Sequence, residues 1–393
     1  MGWSAALPSP EQFRLWAAIS AVAGALERRV WTQIIPGRDL FPNLFTVLIA
    51  SPGIGKSQAI EPVKELWSSV ERPGFGRLHV SPEGLTKAGM LDAIDETKRM
   101  VMVANGVGVK PIEYNCMNVP ASEFGVLVPA YDNDFLNILN YIYDNPEQLR
   151  DKTRTSKSVS INRPMLNILA GTQPGYLANM LPEEAWTMGF MSRVTMIYAG
   201  TSPKVQLFEG LGLNAQHKAQ LIAGLIEMTK LYGHFNWSTT AQKELLRWYN
   251  SGMEPMPEHS RLQHYTARRL ITFTKLCTIS AASRGRDYII ELEDLTRAKD
   301  WLLPAEALMP DVFREMLKRS DAEIIQELHH FLWSYWLKKK EPFHESKLIS
   351  FIATRAPSEK VLRILDIAER TQTIECVAPK MWQPRPKAGH GLE

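Results

Sequence analysis

Apolar and polar positions follow two regimes along this chain, and the change between them near residue 200 sets the expected architecture. In the first regime, short apolar runs bounded by turn residues alternate with stretches of helical period. From Glu11 to Arg29, EQFRLWAAISAVAGALERR, apolar residues recur at helical spacing behind Ser9 as a cap and Pro10 at the first turn, which predicts a helix. VWTQII and LFTVLIA flank PGRDLFPN and read as two strands. The second strand is expected to be fully buried, because its apolar run is unbroken. A helix is expected from Lys56 to Val70, then a short strand in GRLHVSPEG and a helix in LTKAGMLDAIDETKR. RMVMVANG and IEYNCMNVPASEF read as strands, LNILNYIYD as an amphipathic helix, and SKSVSINRPMLNILAGTQP as a partly exposed strand followed by a central one. FMSRVTMIYAG supplies one more strand. Strands separated by helices predict an α/β fold with a parallel sheet.

After about Thr201 the period lengthens. AQHKAQLIAGLIEMTKLYG, TTAQKELLRWYNSG, RLQHYTARRLITFTKLCTISAASRG and ELEDLTRAKDWLLPAEALM read as helices, so residues 201–319 form an all-helical second unit. From residue 320 three helical patterns are followed by a β-like TIECVAPKMW, which makes 320–393 a small winged-helix-like unit. The expected division is therefore 1–200, 201–319 and 320–393. At 393 residues the chain exceeds the size at which one core keeps growing, which agrees with several units.

Composition narrows the function classes. Forty-five basic against 42 acidic residues leave a net charge of +3, so any nucleic-acid contact has to come from local patches. Three cysteines, Cys116, Cys277 and Cys376, are too few and too scattered for a disulfide framework or a zinc site, which points to a reducing cytoplasm. No apolar stretch reaches membrane-spanning length, and MGWSAALPSP lacks the basic start and apolar centre of a signal peptide. A soluble cytoplasmic protein with no membrane partner is expected. No histidine pair has metal-ligand spacing with a third ligand, and no serine stands in a nucleophile elbow.

The strongest chemical signal is ASPGIGKS, Ala50 to Ser57, a P-loop pattern with alanine in the first glycine's place. Its glycines let backbone amides turn toward phosphates, Lys56 can reach the β- and γ-phosphates, and the Ser57 hydroxyl can ligate magnesium. The following helix adds its positive end to the same anion site. Pro52, Gly53, Ile54, Gly55, Lys56, Ser57 and Gln58 are thus the candidate nucleotide-binding residues, with ATP and Mg2+ as cofactors. Hydrolysis needs a carboxylate near the γ-phosphate, and Glu123 in MNVPASEFGVL follows a strand at a fitting place. A second carboxylate usually precedes such a glutamate and serves magnesium through water; here that place holds Ser122.

The order ASPGIGKS, ASEF, PMLNILAGTQP, GFMSRV and HYTARRLITFTKLC resembles the AAA+ ATPases of the minichromosome-maintenance helicase type. More closely, it resembles the phage and prophage primase-helicase proteins. The resemblance covers about Glu11 to Met309. It implies an AAA+ P-loop core over 1–200 and a helical lid over 201–319. It also implies a polar sensor at Gln173, beside Thr172, where relatives more often have asparagine, and an arginine finger at Arg193 that acts on a neighbouring subunit's nucleotide. A second arginine sensor falls on Arg268 or Arg269; only one of two adjacent helical residues can face the nucleotide, and Arg268 is preferred. The implied protein is a hexameric, ATP-hydrolysing DNA helicase of phage or mobile-element replication, in the host bacterial cytoplasm, with a primase or another replication protein as a further partner.

RDKTRTSKSVSINR, Arg150 to Arg163, carries five basic residues against one acid and alternates without helical period, which predicts a projecting hairpin. In the resembling helicases an insertion here lines the channel. That assigns Arg150, Lys152, Arg154 and Lys157 to the backbone of single-stranded or forked DNA. In SEKVLRILDIAER, Lys360 and Arg363 are balanced by Glu359, Asp366 and Glu369, a mixed charge that leaves the last unit as a subunit-contact or weak DNA-contact module. Two other classes stay open: a helicase loader or protein-remodelling ATPase that does not unwind DNA, and a non-hydrolysing initiator in which Ser122 marks a decayed site.

Overall fold

The computed structural model describes residues 7–72, 76–82, 84–104, 108–128, 132–151, 159–181, 186, 189–204, 215–285, 287–353 and 360–385. The chain divides into two compact units, Met1–Val312 and Phe313–Glu393.

In the first unit, α1 (Glu11–Leu26) leads to β1 (Val30–Thr32), β2 (Phe45–Ile49) and α2 (Lys56–Ser69). A hairpin of β3 (Glu71–Arg72) and β4 (Gly76–Arg77) follows, then α3 (Lys87–Asp95), β5 (Lys98–Ala104) and β6 (Val109–Ala121). Next come α4 (Phe124–Leu127), α5 (Asn133–Tyr143), a second hairpin of β7 (Gln148–Asp151) and β8 (Val159–Asn162), β9 (Pro164–Thr172), α6 (Pro174–Met180) and β10 (Val194–Tyr198). The central sheet has the order β10-β2-β9-β6-β5, and its first four strands are parallel. Every residue of β2 and β9 is buried, which is why both read as continuous apolar runs.

The sheet departs from the parallel expectation at one edge. β5 and β6 pair antiparallel, Lys98 with Asn115 through Ala104 with Val109. Only four residues separate these strands, and a parallel crossover needs a dozen or more. The carboxyl half of β6 takes a parallel neighbour instead: Val80 bridges Asn118, with Ser81 N donating to Asn118 O at 2.8 Å and Asn118 N donating to His79 O at 2.9 Å.

Beyond residue 214 the helices Ala215–Met228, Thr239–Asn250, Gln263–Arg284 and Leu292–Ala307 appear where helical periods predict them. The region is not all-helical, however. β11 (Gly233–Trp237) and β12 (Ile289–Ile290) join β1 in a parallel sheet of order β1-β11-β12. Their segments are too short for a period to show, and β1 supplies the partner from 200 residues away in sequence. Phe235, Trp248, Phe273, Leu276, Cys277 and Leu302 share one apolar cluster with Phe13, Trp16, Leu48 and Trp67, so α1, the sheet and these helices bury a common core.

The second unit contains the later part of the helix Met309–Lys339, then β13 (Phe343–His344), the helices Glu345–Ala353 and Val361–Arg370, β14 (Ile374–Ala378) and β15 (Met381–Pro384). Its antiparallel sheet has the order β13-β15-β14. Leu328, Leu332, Phe343, Leu348, Ile352, Ile364 and Trp382 form its own core. Among the described residues, no helix is long and apolar enough to cross a membrane.

Candidate functional site

β2 delivers the chain into the loop 50–55, and α2 begins at Lys56. Gly53 at φ +80° and Gly55 at φ +89° supply the left-handed turns that let the loop fold over the helix start. Gly55 has a second reason to be glycine: a Cβ there would lie 2.1 Å from the carbonyl oxygen of Pro8, which packs against the loop. Lys56 is buried, and its Nζ donates to Ala50 O at 2.9 Å and Ser51 O at 3.1 Å. Ser57 and Gln58 are exposed on the first turn of α2.

The ends of β6 and β9 lie beside this loop. Ile49 pairs with Thr172, and Ala50 N donates to Thr172 O at 3.2 Å, so Gln173, the next residue and the cap position of α6, sits at the same level of the sheet as the loop. β6 ends at Ala121; Ser122 and exposed Glu123 follow, with Glu123 at the cap position of α4. Gly171 makes the approach possible. A Cβ on it would lie 2.6 Å from Ser122 O and 3.4 Å from Lys56 Cβ, so the missing side chain lets the β6 end and the lysine converge. Sequence reading passed over Gly171 as one more strand residue. It also passed over Glu61, one turn beyond Ser57 on α2, whose Oε1 accepts from Ser122 Oγ at 3.4 Å. Ser57, Glu61, Ser122 and Glu123 are all hard oxygen donors, the chemistry that magnesium takes. The crevice beyond the carboxyl ends of β2, β6 and β9 is where open parallel sheets bind ligands.

Arg193 is elsewhere. It precedes β10, whose Val194 pairs with Phe45 at the start of β2, so it lies at the amino end of the sheet. Crossing the sheet from that level to the loop takes the length of β2, roughly 15 Å. There Arg193 meets Arg268 on one carboxylate, that of Asp144 just after α5. Arg193 Nε donates to Asp144 Oδ1 at 3.3 Å, its Nη2 donates to Oδ2, and its Nη1 donates to Gly189 O at 2.8 Å. Arg268 Nη2 donates to Asp144 Oδ1 at 2.6 Å. Burial pushes the Asp144 carboxyl upward, but the hydrogen bond from Arg193 and the charges of Arg193, Arg268 and Lys275 outweigh it and hold the group below its ordinary value. Lys275 is fully buried behind this group; its Nζ donates to Asn43 Oδ1 at 2.8 Å and Asn43 O at 3.1 Å and stands 3.7 Å from the centre of the Tyr143 ring. Burial drives its pKa far down, against the attraction of Asp144.

Arg269, adjacent to Arg268, points into the core and is fully buried. Its Nε donates to Glu306 Oε1 at 2.8 Å and its Nη2 to Glu306 Oε2 at 2.5 Å and Pro255 O at 2.9 Å, while Tyr265 Oη donates to Glu306 Oε1 at 2.8 Å. Among the described residues, its hydrogen bonds run to Met253, Pro255, Met256 and Glu306, none to the loop or to Asp144.

The basic hairpin is present as antiparallel β7 and β8, with Arg150 opposite Ser160. Arg150 is exposed, and its Nε donates to Gln148 Oε1 at 2.7 Å; Lys152, Arg154 and Lys157 lie outside the described residues. The base of the hairpin is anchored by Arg28. Its guanidinium, pulled down to about 10 by burial against the opposing charge of Glu147, donates to Pro146 O at 2.7 Å, Asn145 O at 2.8 Å and Glu147 Oε1 at 3.0 Å.

No protein-family model matches the chain, and a search of the curated proteins returns no match.

Proposed function

We propose that the chain is an ATP-dependent, ring-forming DNA helicase or translocase of the AAA+ type, with its nucleotide sites at subunit interfaces. The observation that carries this reading is the separation of Lys56 from Arg193 by the length of the central sheet. An arginine at that end cannot reach the loop of its own chain, so if it stabilises a transferring phosphoryl, the phosphoryl belongs to a second copy. Lys56, Ser57 and the α2 amino end hold the triphosphate. Glu123 orients the attacking water and takes its proton, and Gln173 faces the same crevice. The Ser57 hydroxyl would hold magnesium, which would supply positive charge to offset that of the phosphates. Arg193 arrives from the neighbour with Arg268 beside it. Arg269 serves the lid's core rather than the nucleotide. Arg150, exposed on a hairpin whose Leu149 and Ile161 are buried, faces the DNA backbone, and the second unit, winged-helix-like in its order of helices and strands, makes protein or weak DNA contacts.

ATP turnover measured against protein concentration, with and without single-stranded DNA, tests the reading. Turnover per protomer should rise as copies associate and rise again with DNA. Full turnover from a species that sediments as a monomer would sink it, and concentration-dependent turnover indifferent to DNA would favour the loader class.

A further inference from the structure

Ser122 stands where a carboxylate would serve magnesium, and a serine is both neutral and too short for that task. The helix side of the crevice offers what the strand lacks. Ser57 and Glu61 are four residues apart on α2, which sets them on one face with about 5–6 Å between their Cβ atoms. Both are exposed on that face. Glu61 Oε1 also accepts from Ser122 Oγ at 3.4 Å, so its carboxylate meets the end of β6 from the helix face that also carries Ser57. Ser122 thereby acts as a donor that orients Glu61 instead of acting as an acceptor for the metal's water shell.

We propose that Glu61 supplies the magnesium-side carboxylate of the nucleotide site, with Ser122 holding it in place. Magnesium keeps several waters in such sites and takes only one or two protein carboxylates, so a carboxylate on the helix satisfies the same demand as one on the strand. Arms of the crevice then divide the work: Ser57 and Glu61 serve the metal, and Glu123 is left to serve the water. The proposal rests on the nucleotide-binding reading above.

A fluorescent, non-hydrolysable ATP analogue titrated into the full chain at stepped magnesium concentrations separates the two. Glu61→Gln should keep the magnesium-free affinity and require roughly 10–100-fold more magnesium to reach tight binding. Adding Ser122→Asp to that variant should restore the original magnesium requirement, because the carboxylate returns from the strand side. An unchanged magnesium requirement in Glu61→Gln overturns the proposal, as does a loss of magnesium-free affinity, which would make Glu61 a structural residue. If the unaltered protein binds no analogue at any magnesium concentration, the nucleotide reading itself fails.

Discussion

The two ends of the central sheet hold their cations in different ways. At the carboxyl end, Lys56 is buried and donates to two carbonyl oxygens of its own loop, Ala50 O and Ser51 O. At the amino end, Arg193 and Arg268 share a full counter-charge, Asp144, and the amine of Lys275, whose charged form burial disfavours, lies behind them. A guanidinium held by a carboxylate has to be shared or released before it serves another anion. Two guanidiniums on one carboxylate nevertheless leave one positive charge in excess. The second end fixes and orients its cations: the Arg193 side chain is only 11% exposed and all three of its guanidinium nitrogens are engaged.

The sharpest way to break this contrast is to remove one cation at a time and mix the products. Arg193→Ala should lower ATP turnover about 10³-fold while leaving nucleotide affinity near normal, because an arginine finger acts on the transition state. Lys56→Ala should abolish turnover through the loop. An equal mixture of the two inactive proteins should regain part of the activity, since one contributes an intact loop and the other an intact Arg193. Failure to complement would place the arginine outside the reaction.

Arg269→Met should cost about 3–5 kcal/mol in a urea-unfolding measurement, the loss expected when one partner of a buried ion pair leaves the other uncompensated. Turnover of the folded fraction should hold. A kinetic defect without a stability loss would return Arg269 to the site. Asp144→Asn should cost less, about 1–2 kcal/mol, because the carboxylate is half exposed. The folded carboxyl is depressed, so its contribution is complete above the unfolded value near about 3.9 and fades as pH falls through the depressed folded value. The stability gap between the two proteins should therefore be constant at neutral pH and close on strong acidification. The smallest effect is expected at the hairpin, where Arg150→Ala should reduce the salt slope of DNA binding by about one.

Legibility in the sequence tracked how local each determinant is. The strand, loop and helix around Lys56 could be read because the apolar run of β2, the two glycines and the helical period of α2 lie within 25 residues. The hairpin could be read from its alternation. The fates of Arg268 and Arg269 could not, since they are decided by Asp144 and Glu306, 124 and 37 residues away. Gly171 was invisible for the same reason: its role is set by an approach across two strands. The antiparallel turn between β5 and β6 was legible and went unread, because a connection of four residues already forbids a parallel return. Lys275 carried a signal as well, a lone cation inside the apolar stretch LITFTKLC.

The Pro8 carbonyl pressed against the loop 50–55 divides the loop's glycines into two kinds. Position 53 asks only for a left-handed backbone and meets no described atom within 4 Å, so asparagine can stand there and the protein still fold. Position 55 must satisfy the same backbone while leaving no room for any side chain. Exhaustive substitution should find the first site permissive and the second closed to all nineteen alternatives, and only displacement of the segment around Pro8 could reopen it.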